Sequence, residues 1–309
     1  MIFAFDHPHD RPPRELTDLL GGKGAGLAEM TSVLGLPVPP GFTIALPMCR
    51  TYRERGWPAG LDALLDEQCR ALEARMGRRF GDPADPLLLA VRSGAPRSMP
   101  GMLDTVLNLG LNPAAVAGLA EVSGDARFAE ESYRRFLAMY EKTVGSPVPE
   151  DPMEQLRGAV EAVFRSWDSP RARAYRAHEG IADDLGTAVN VQAMVFGNAD
   201  DNSGTGVVFT RNPSTGQAVP YGDFLPRAQG EEVVAGTAHT LSIDAMGTVL
   251  PEAYDELRHH VRRLEIHYRD ICDVEFTVER GRLWILQTRV GKRGAVAAVR
   301  AAVEMVDDP

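Results

Sequence analysis

Near the carboxyl end of the chain, polar and apolar side chains alternate over six residues. Positions 273–278 read Asp-Val-Glu-Phe-Thr-Val, and this period of two predicts a strand with one buried face. Trp284 and Leu286 continue the apolar positions on a second strand, and residues 280–282, Arg-Gly-Arg, form the turn between the two strands. The pattern therefore predicts a β-hairpin with one apolar face and one polar face.

The length of the turn decides which polar side chains meet. A two-residue loop would put Glu275 and Gln287 on opposite faces of the hairpin, whereas a three-residue loop at 280–282 puts them opposite each other. Only the three-residue loop also aligns the apolar residues. We therefore expect Glu275 to face Gln287 and Asp273 to face Arg289.

This predicted polar face suits a metal ion and phosphate. Mg²⁺ prefers oxygen ligands, usually takes one or two carboxylates, and completes its coordination with water and substrate phosphate. Asp273, Glu275 and Gln287 are therefore the candidate Mg²⁺ ligands, and Arg289 is the candidate for bidentate phosphate binding. The alternative is an ordinary edge hairpin with cross-strand charge pairs.

The same patterns predict helices and strands along the rest of the chain. Helical spacing follows residues 21–26 and ends at Gly35, and further helices are predicted at about 48–55, 61–79, 126–141, 153–167, 252–268 and 295–306. Apolar runs bounded by turn residues predict strands at 42–45, 87–91, 188–196, 206–211, 224–227 and 232–235. Strands therefore dominate the last third of the chain.

Composition and charge narrow the class of protein. The chain has 309 residues, enough for two lobes around separate cores, and 25% of them are charged. The net charge of −10 argues against a nucleic-acid partner, because such binding needs clustered Lys and Arg. Cys49, Cys69 and Cys272 lack the spacing of a disulfide framework or a zinc site, which favours a cytoplasmic location. Without a signal-peptide region or a long apolar run, we expect no membrane partner.

Residues 21–26, Gly-Gly-Lys-Gly-Ala-Gly, are a candidate phosphate-binding segment. They lead into a predicted helix, and the backbone N–H groups at a helix start, together with the ammonium group of Lys23, can approach phosphate. The segment does not match the P-loop pattern. The alternative is a tight turn with a solvated lysine.

Arg92 follows the predicted strand at 87–91 and begins a second candidate segment. The loop at 93–101 after it contains few bulky groups, and such a loop could close over a triphosphate. The alternative is a surface turn in which Arg92 pairs with a nearby acid.

Gln192 and Met194 lie on the predicted strand at 188–196. Extended backbone of this kind can offer hydrogen-bonding groups to the edge of an adenine, although most such runs are core strands. Polar clusters at 204–216 and 229–236 either line a phosphate cleft or form turns alone.

Five motifs follow one another along the chain: GKGA at 22–25, VRSGA at 91–95, SMPGMLDTVLNLG at 98–110, FTRNP at 209–213 and LQTR at 286–289. Together they resemble the N-terminal nucleotide-binding domain of the pyruvate, phosphate dikinase family. The resemblance extends over residues 3–306. Phosphoenolpyruvate synthase and rifampin phosphotransferase resemble the chain more distantly.

The resemblance implies an α+β protein with the ATP-grasp fold, in which two lobes clamp Mg-ATP. The first lobe would comprise residues 1–196 and include a helical insertion at about 112–180, and the second lobe would comprise residues 197–309 and carry the metal-binding hairpin. A domain of this family transfers a pyrophosphoryl group from Mg-ATP to a histidine on a separate swivelling domain and releases AMP.

The resemblance also implies roles for individual residues. Lys23, Arg92 and Arg289 would be the catalytic cations that bind phosphate, and Asp273, Glu275 and Gln287 would serve the metal and the ribose. The predicted nucleotide-binding set is Lys23, Arg92, Gly101, Thr105, Arg135, Gln192, Met194, Asp273, Glu275, Gln287 and Arg289.

Several positions depart from the family pattern. Pro96 enters the phosphate loop, where it fixes φ and removes an N–H donor, and the short linker at 144–152 indicates a trimmed helical subdomain. Arg227 stands where the family usually has an asparagine, and residues 237–242 lack its Arg-Thr-Pro-Gln run. The sequence ends at Pro309 without a phosphohistidine domain or a pyruvate-binding barrel, so we expect the acceptor on another domain or protein.

Three functional hypotheses follow. The leading one is an ATP-dependent phosphotransferase module that passes a phosphoryl or pyrophosphoryl group to a phosphohistidine-domain protein. The second is a stand-alone kinase whose acceptor is a small molecule. The third is a non-catalytic nucleotide-binding protein.

Overall fold

A computed structural model describes residues 1–229 and 240–306. The chain divides into two compact units, the first comprising Met1–Gly35 and Pro40–Met194 and the second comprising Leu36–Pro39 and Val195–Pro309. Among the described residues, no helix has both the length and the apolar character needed to cross a membrane.

The first unit contains one large antiparallel sheet. Its strands are β1 (Ile2–Ala4), β2 (Gly41–Ile44), β5 (Leu89–Gly94), β6 (Thr105–Leu109) and β7 (Ala188–Ala193), and a separate parallel pair consists of β3 (Arg79–Phe80) and β4 (Pro86–Leu87). The order in the large sheet is β1-β2-β7-β5-β6. Strand β7 is central and buried along its whole length, including its polar residues Asn190 and Gln192.

Seven α-helices belong to the first unit, which is described completely. They are α1 (Thr17–Ala28), α2 (Leu46–Arg55), α3 (Leu61–Met76), α4 (Pro113–Ser123), α5 (Ala126–Val144), α6 (Pro152–Ser166) and α7 (Pro170–Glu179). Helices α4 to α7 form the insertion between β6 and β7, and α5 and α6 pack on β6.

Two of these helices, α4 and α7, were absent from the sequence prediction. Each begins with a capping residue followed by proline: the Asn112 side chain accepts a hydrogen bond from Ala115 N–H, and the Ser169 side chain accepts one from Ala172 N–H. Proline suits the first helical position because its missing N–H would have no partner there. The start signals were therefore present in the sequence, and the interpretation overlooked them.

The glycine-rich segment at 21–26 lies within α1 and does not form a loop before it, so that prediction was wrong in detail. Gly21 has φ 70° and ψ 164° and kinks the helix, a conformation that glycine adopts without steric penalty. A new helical stretch begins after this kink. The start of a helix therefore still falls at Gly22 and Lys23, as the phosphate-binding interpretation requires.

The second unit contains another antiparallel sheet. Among its described residues, the strands are β8 (Gly204–Phe209), β9 (Tyr221–Pro226), β10 (Leu241–Ser242), β11 (Cys272–Glu279) and β12 (Arg282–Val290), and the α-helices are α8 (Met246–Val249), α9 (Pro251–Tyr268) and α10 (Ala295–Glu304). The strand order is β10-β9-β8-β11-β12. The predicted strand at 232–235 and most of the polar cluster at 229–236 lie outside the described residues.

A buried ion-pair cluster joins α9 and α10 to the end of β8. Arg211 is only 2% exposed, and its Nε donates to Glu265 Oε2 of α9 over 3.0 Å while Nη1 donates to Glu304 of α10. Burial lowers the pKa of Arg211, but the hydrogen bonds and charges of Glu265 and Glu304 outweigh burial and leave this pKa raised. Asn212 Oδ1 accepts hydrogen bonds from the next turn, so this part of the 204–216 cluster is structural.

Candidate nucleotide site

The hairpin of β11 and β12 contains the two residue pairs that the sequence predicted, but its turn is shorter than predicted. Asp273 lies opposite Arg289 and Glu275 opposite Gln287, as expected. The turn has two residues, because Glu279 pairs directly with Arg282. A three-residue loop was therefore the wrong prediction, and a two-residue turn alone would have placed Glu275 and Gln287 on opposite faces.

A β-bulge restores the register. The pairing shifts by one residue after Glu275, where Phe276 pairs with Ile285, so that Leu286 is the extra residue in β12. A bulge places two residues of one strand against one residue of its partner. The turn itself uses positive φ at Arg280 (52°) and Gly281 (80°), the conformation of the tight turns that match strand twist.

The bulge also changes which face the second strand's apolar residues occupy. Thr277 lies opposite Trp284, and directly opposed residues share a face, so Trp284 lies on the face of the carboxylates. The prediction that Trp284 and Leu286 continue the apolar face was wrong. Leu283 and Ile285, both fully buried, continue it instead.

The polar face forms one charge cluster. Arg289 Nε donates to Asp273 Oδ2 over 2.7 Å, and Arg289 Nη2 lies 3.8 Å from Glu275 Oε1. Burial lowers the pKa of Arg289, whereas the hydrogen bond and charge of Asp273 raise it, and the net pKa is raised. The side chain of Arg289 is half exposed, so the guanidinium can contact a ligand while it holds the carboxylate.

The donor set of this face limits how a metal would be held. Two carboxylates and one amide oxygen are available from Asp273, Glu275 and Gln287, and nowhere in the described ranges do three or more His, Cys, Asp or Glu side chains form a metal-binding group. Mg²⁺ suits such a sparse set of hard oxygens, because it keeps water and substrate phosphate among its ligands.

In the first unit, the candidate residues Arg92, Thr105 and Gln192 lie together on one sheet. Arg92 of β5 is directly opposite Thr105 of β6, and Arg92 Nη1 donates to Gln192 Oε1 of β7 over 3.4 Å. Arg92 is half-buried, whereas Gln192 is 2% exposed. The surface-turn alternative for Arg92 is therefore wrong, because Arg92 belongs to β5 itself.

The two candidate phosphate segments of the first unit contact each other through their backbones. Gly22 N–H donates to Ala95 O over 2.9 Å, so this amide is already used and cannot bind phosphate. Lys23 follows at the start of the helical stretch beyond the kink. The glycine-rich segment and the Arg92 strand are thus held in one fixed arrangement.

The loop after β5 is anchored by an apolar side chain. Met99 is buried in a cluster with Trp167, Ala172 and Ile181. Gly101, at the tip of the loop, is exposed with φ 69°.

Arg171 of α7 fixes the end of the same loop. Its Nε donates to Met102 O over 3.0 Å, and its Nη2 donates to Asp104. The sequence interpretation missed Arg171, because nothing local connects two residues that lie 67 positions apart.

The remaining predicted residues lie on or beside the helical insertion and the central strand. Arg135 on α5 contacts Glu131 one turn earlier, over 2.7 Å. Met194, just after β7, accepts a hydrogen bond from Asn108 N–H at its sulfur over 3.0 Å. Arg227, which was noted as a departure from the family pattern, lies in the second unit and pairs with Asp201 over 2.7 Å. None of these contacts brings Arg135 or Met194 to Arg92.

Comparison with known proteins identifies the family of this chain. The chain matches the family model described as the AMP/ATP-binding domain of pyruvate phosphate dikinase over residues 17–68, 57–245 and 239–308. The chain belongs to this family. The predicted ATP-grasp fold with mixed helices and sheets is accordingly confirmed.

Plant pyruvate, phosphate dikinases are among the relatives of this domain. The chain is 48% identical to pyruvate, phosphate dikinase 1, chloroplastic, from Oryza sativa subsp. japonica over 356 residues, covering 99% of this chain and 37% of that protein. It is 47% identical to pyruvate, phosphate dikinase 2 from Zea mays over 356 residues, covering 99% of this chain and 40% of that protein. The aligned stretch is longer than this chain, so the relatives carry additional residues within it.

Proposed function

We propose that the chain is the nucleotide-binding module of a phosphotransferase of the pyruvate, phosphate dikinase type, with Mg-ATP as the phosphoryl donor. The observation that carries the proposal is the hairpin face, on which Asp273, Glu275, Gln287 and Arg289 meet in one cluster. Membership of an AMP/ATP-binding domain family supports ATP as the ligand of this site.

The oxygen donors of the hairpin fit Mg²⁺. Asp273 and Glu275 would hold the ion with carboxylate oxygens and Gln287 with its amide oxygen, and the phosphates of the nucleotide would complete the coordination. Bound there, Mg²⁺ would neutralise phosphate charge and orient the transferring group.

The cationic side chains would bind the phosphates. Arg289 keeps its orientation through Asp273, and its half-exposed guanidinium can donate to a phosphate oxygen with the strength of a charge-assisted hydrogen bond. Lys23 at a helix start and Arg92 on β5 would neutralise further phosphate charge. Phosphoryl transfer depends mainly on such charge neutralisation and in-line positioning, and these residues need form no covalent intermediate.

The proposed acceptor is a histidine on a separate domain or protein. In the proposed reaction the imidazole nitrogen forms a bond to the β-phosphorus of ATP, and the bond between that phosphorus and the α–β bridging oxygen breaks, which releases AMP. Gln192 and Met194 would lie beside the adenine, with Gly101, Thr105 and Arg135 as further nucleotide contacts.

Calorimetric titration of Mg-ATP tests the binding part of this proposal. We expect the wild-type chain to bind Mg-ATP, and Arg92→Ala to weaken binding by about 10- to 100-fold, because a hydrogen bond to a charged group contributes about 1.5–3 kcal/mol. Arg134→Ala, at an exposed position on α5, is the matched control and should bind like the wild type. Equal affinity for both variants would remove Arg92 from the site.

A further inference from the structure

One face of the first unit's sheet carries a continuous polar row that the proposed site uses only in part. Thr43 of β2 lies opposite Asn190 of β7, Asn190 lies opposite Arg92 of β5, and Arg92 lies opposite Thr105 of β6. Directly opposed residues in antiparallel strands share a face. Arg92 and Thr105 are candidate nucleotide contacts, whereas Thr43 and Asn190 have no role in the site described so far.

Thr43 and Asn190 form a buried polar pair. They are 2% and 1% exposed, and Thr43 Oγ1 donates to Asn190 Oδ1 over 2.8 Å. This bond fixes the amide so that Nδ2 points the other way, and within the described parts of the chain Asn190 Nδ2 has no hydrogen-bond partner. Burying such groups in a sheet core costs free energy, so an apolar pair would serve stability alone better.

The pair lies directly beneath both phosphate segments. A β-carbon at Gly24 of the glycine-rich segment would approach Thr43 Oγ1 to 2.8 Å and Asn190 Oδ1 to 2.9 Å. A β-carbon at Gly94, two residues after Arg92, would approach Asn190 Nδ2 to 2.6 Å. Because Gly24 and Gly94 have no side chain, the backbone of each segment packs directly against Thr43 and Asn190.

We infer that Thr43 and Asn190 are positioning residues of the nucleotide phosphate site. The inference rests on the proposed function. The pair fixes how closely two backbone segments approach the sheet: the helix start that carries Lys23 and the strand end that carries Arg92. It thereby sets the distance between the two cations that bind the phosphates. Because neither Thr43 nor Asn190 is accessible, both act through the backbone above them and touch no substrate.

Two nearly isosteric substitutions remove the polar contact without removing volume. Thr43→Val deletes the hydroxyl donor, and Asn190→Leu deletes the oxygen that accepts from it. Thr43→Ser retains the hydroxyl and is the matched control. Calorimetry measures the dissociation constants of Mg-ATP and of adenosine for each protein, and thermal unfolding reports whether each variant is folded.

We expect Thr43→Val and Asn190→Leu to weaken Mg-ATP binding by about 3- to 10-fold, the range of one neutral hydrogen bond, and to leave adenosine binding within about twofold. Thr43→Ser should bind both ligands like the wild type. This split between ATP and adenosine separates a phosphate-positioning role from a general loss of structure.

Unchanged Mg-ATP affinity in folded Thr43→Val would overturn the inference, as would an equal loss for adenosine and ATP. Should Asn190→Leu fail to fold, the comparison of Thr43→Val with Thr43→Ser still decides. A wild-type chain that binds no Mg-ATP would instead refute the proposed function itself, so the two failures are distinguishable.

Discussion

Replacing Arg211 by methionine tests whether the buried ion-pair cluster holds the second unit together. The substitution keeps a long side chain but removes the charge that pairs with Glu265 on α9 and Glu304 on α10. Glu265 is 4% exposed, so its carboxylate would remain in a poorly solvated position without its main partner.

The expected loss follows from the burial of both partners. Removing one member of a buried ion pair costs about 3–5 kcal/mol, because the remaining charge is left uncompensated. Arg262 still donates to Glu265 Oε1 over 2.8 Å, which moves the expectation to the lower end, about 3 kcal/mol. Such a loss shifts the urea midpoint of the second unit by about 1–3 M.

Fluorine NMR of protein labelled with 5-fluorotryptophan can follow the two units separately. Trp284 is the only tryptophan of the second unit, whereas Trp57 and Trp167 belong to the first. In a urea titration of Arg211→Met, the Trp284 signal should convert to its unfolded position earlier than in the wild type. The Trp57 and Trp167 signals should shift less.

An exposed pair provides the matched control. Arg227 and Asp201 of the second unit are 2.7 Å apart but are 58% and 85% exposed, and a pair of this kind contributes about 0–1 kcal/mol. Arg227→Met should therefore leave the unfolding midpoint of the second unit almost unchanged. The double variant Arg211→Met with Glu265→Leu should recover much of the lost stability, because it removes the buried charge as well. A loss below about 1 kcal/mol in Arg211→Met would refute the reasoning.

Three further predictions concern the site, pH and the loop. Glu275→Ala should abolish turnover in an assay with a supplied acceptor while circular dichroism shows an intact fold, and near-normal turnover would remove this carboxylate from the site. Burial lowers the pKa of His260, so the stability from its neutral form is present above the unfolded pKa of about 6.5 and is lost as the pH falls through the lowered folded pKa. The midpoint temperature of thermal unfolding should therefore fall more for the wild type than for His260→Gln between about pH 7 and pH 5. Parallel pH profiles of the two midpoints would contradict this. Arg171→Ala should speed tryptic cleavage after the exposed Arg97, whereas Arg173→Ala should not; equal rates would show that Arg171 does not anchor the loop.

The hairpin shows both the reach and the limit of sequence interpretation. Alternation at 273–278 predicted the strand, and the requirement that polar residues share a face predicted the partners of Asp273 and Glu275 correctly. The turn length and the bulge at Leu286 escaped prediction, because a two-residue turn plus one bulged residue gives the same pairing beside Glu275 as a three-residue loop. The two solutions differ only at Trp284 and its neighbours.

Other features depended on contacts between distant residues. The contact of Arg171 with Asp104, the pair of Thr43 with Asn190 and the pair of Arg211 with Glu304 each join positions far apart in sequence. No local periodicity indicates such contacts. By contrast, the capping asparagine and serine before α4 and α7 were local signals, and a stricter reading of the Asn-Pro and Ser-Pro dipeptides as helix starts would have found both helices.

The central claim is that the chain transfers a pyrophosphoryl group from Mg-ATP to a histidine on a separate domain. Phosphorus-31 NMR of the chain with Mg-ATP, alone and with the phosphohistidine domain of a pyruvate, phosphate dikinase, tests it most directly. We predict that AMP and a pyrophosphohistidine signal accumulate only when the domain is added. Formation of ADP with a small-molecule acceptor, or bound ATP that persists unchanged with the added domain, would contradict the claim.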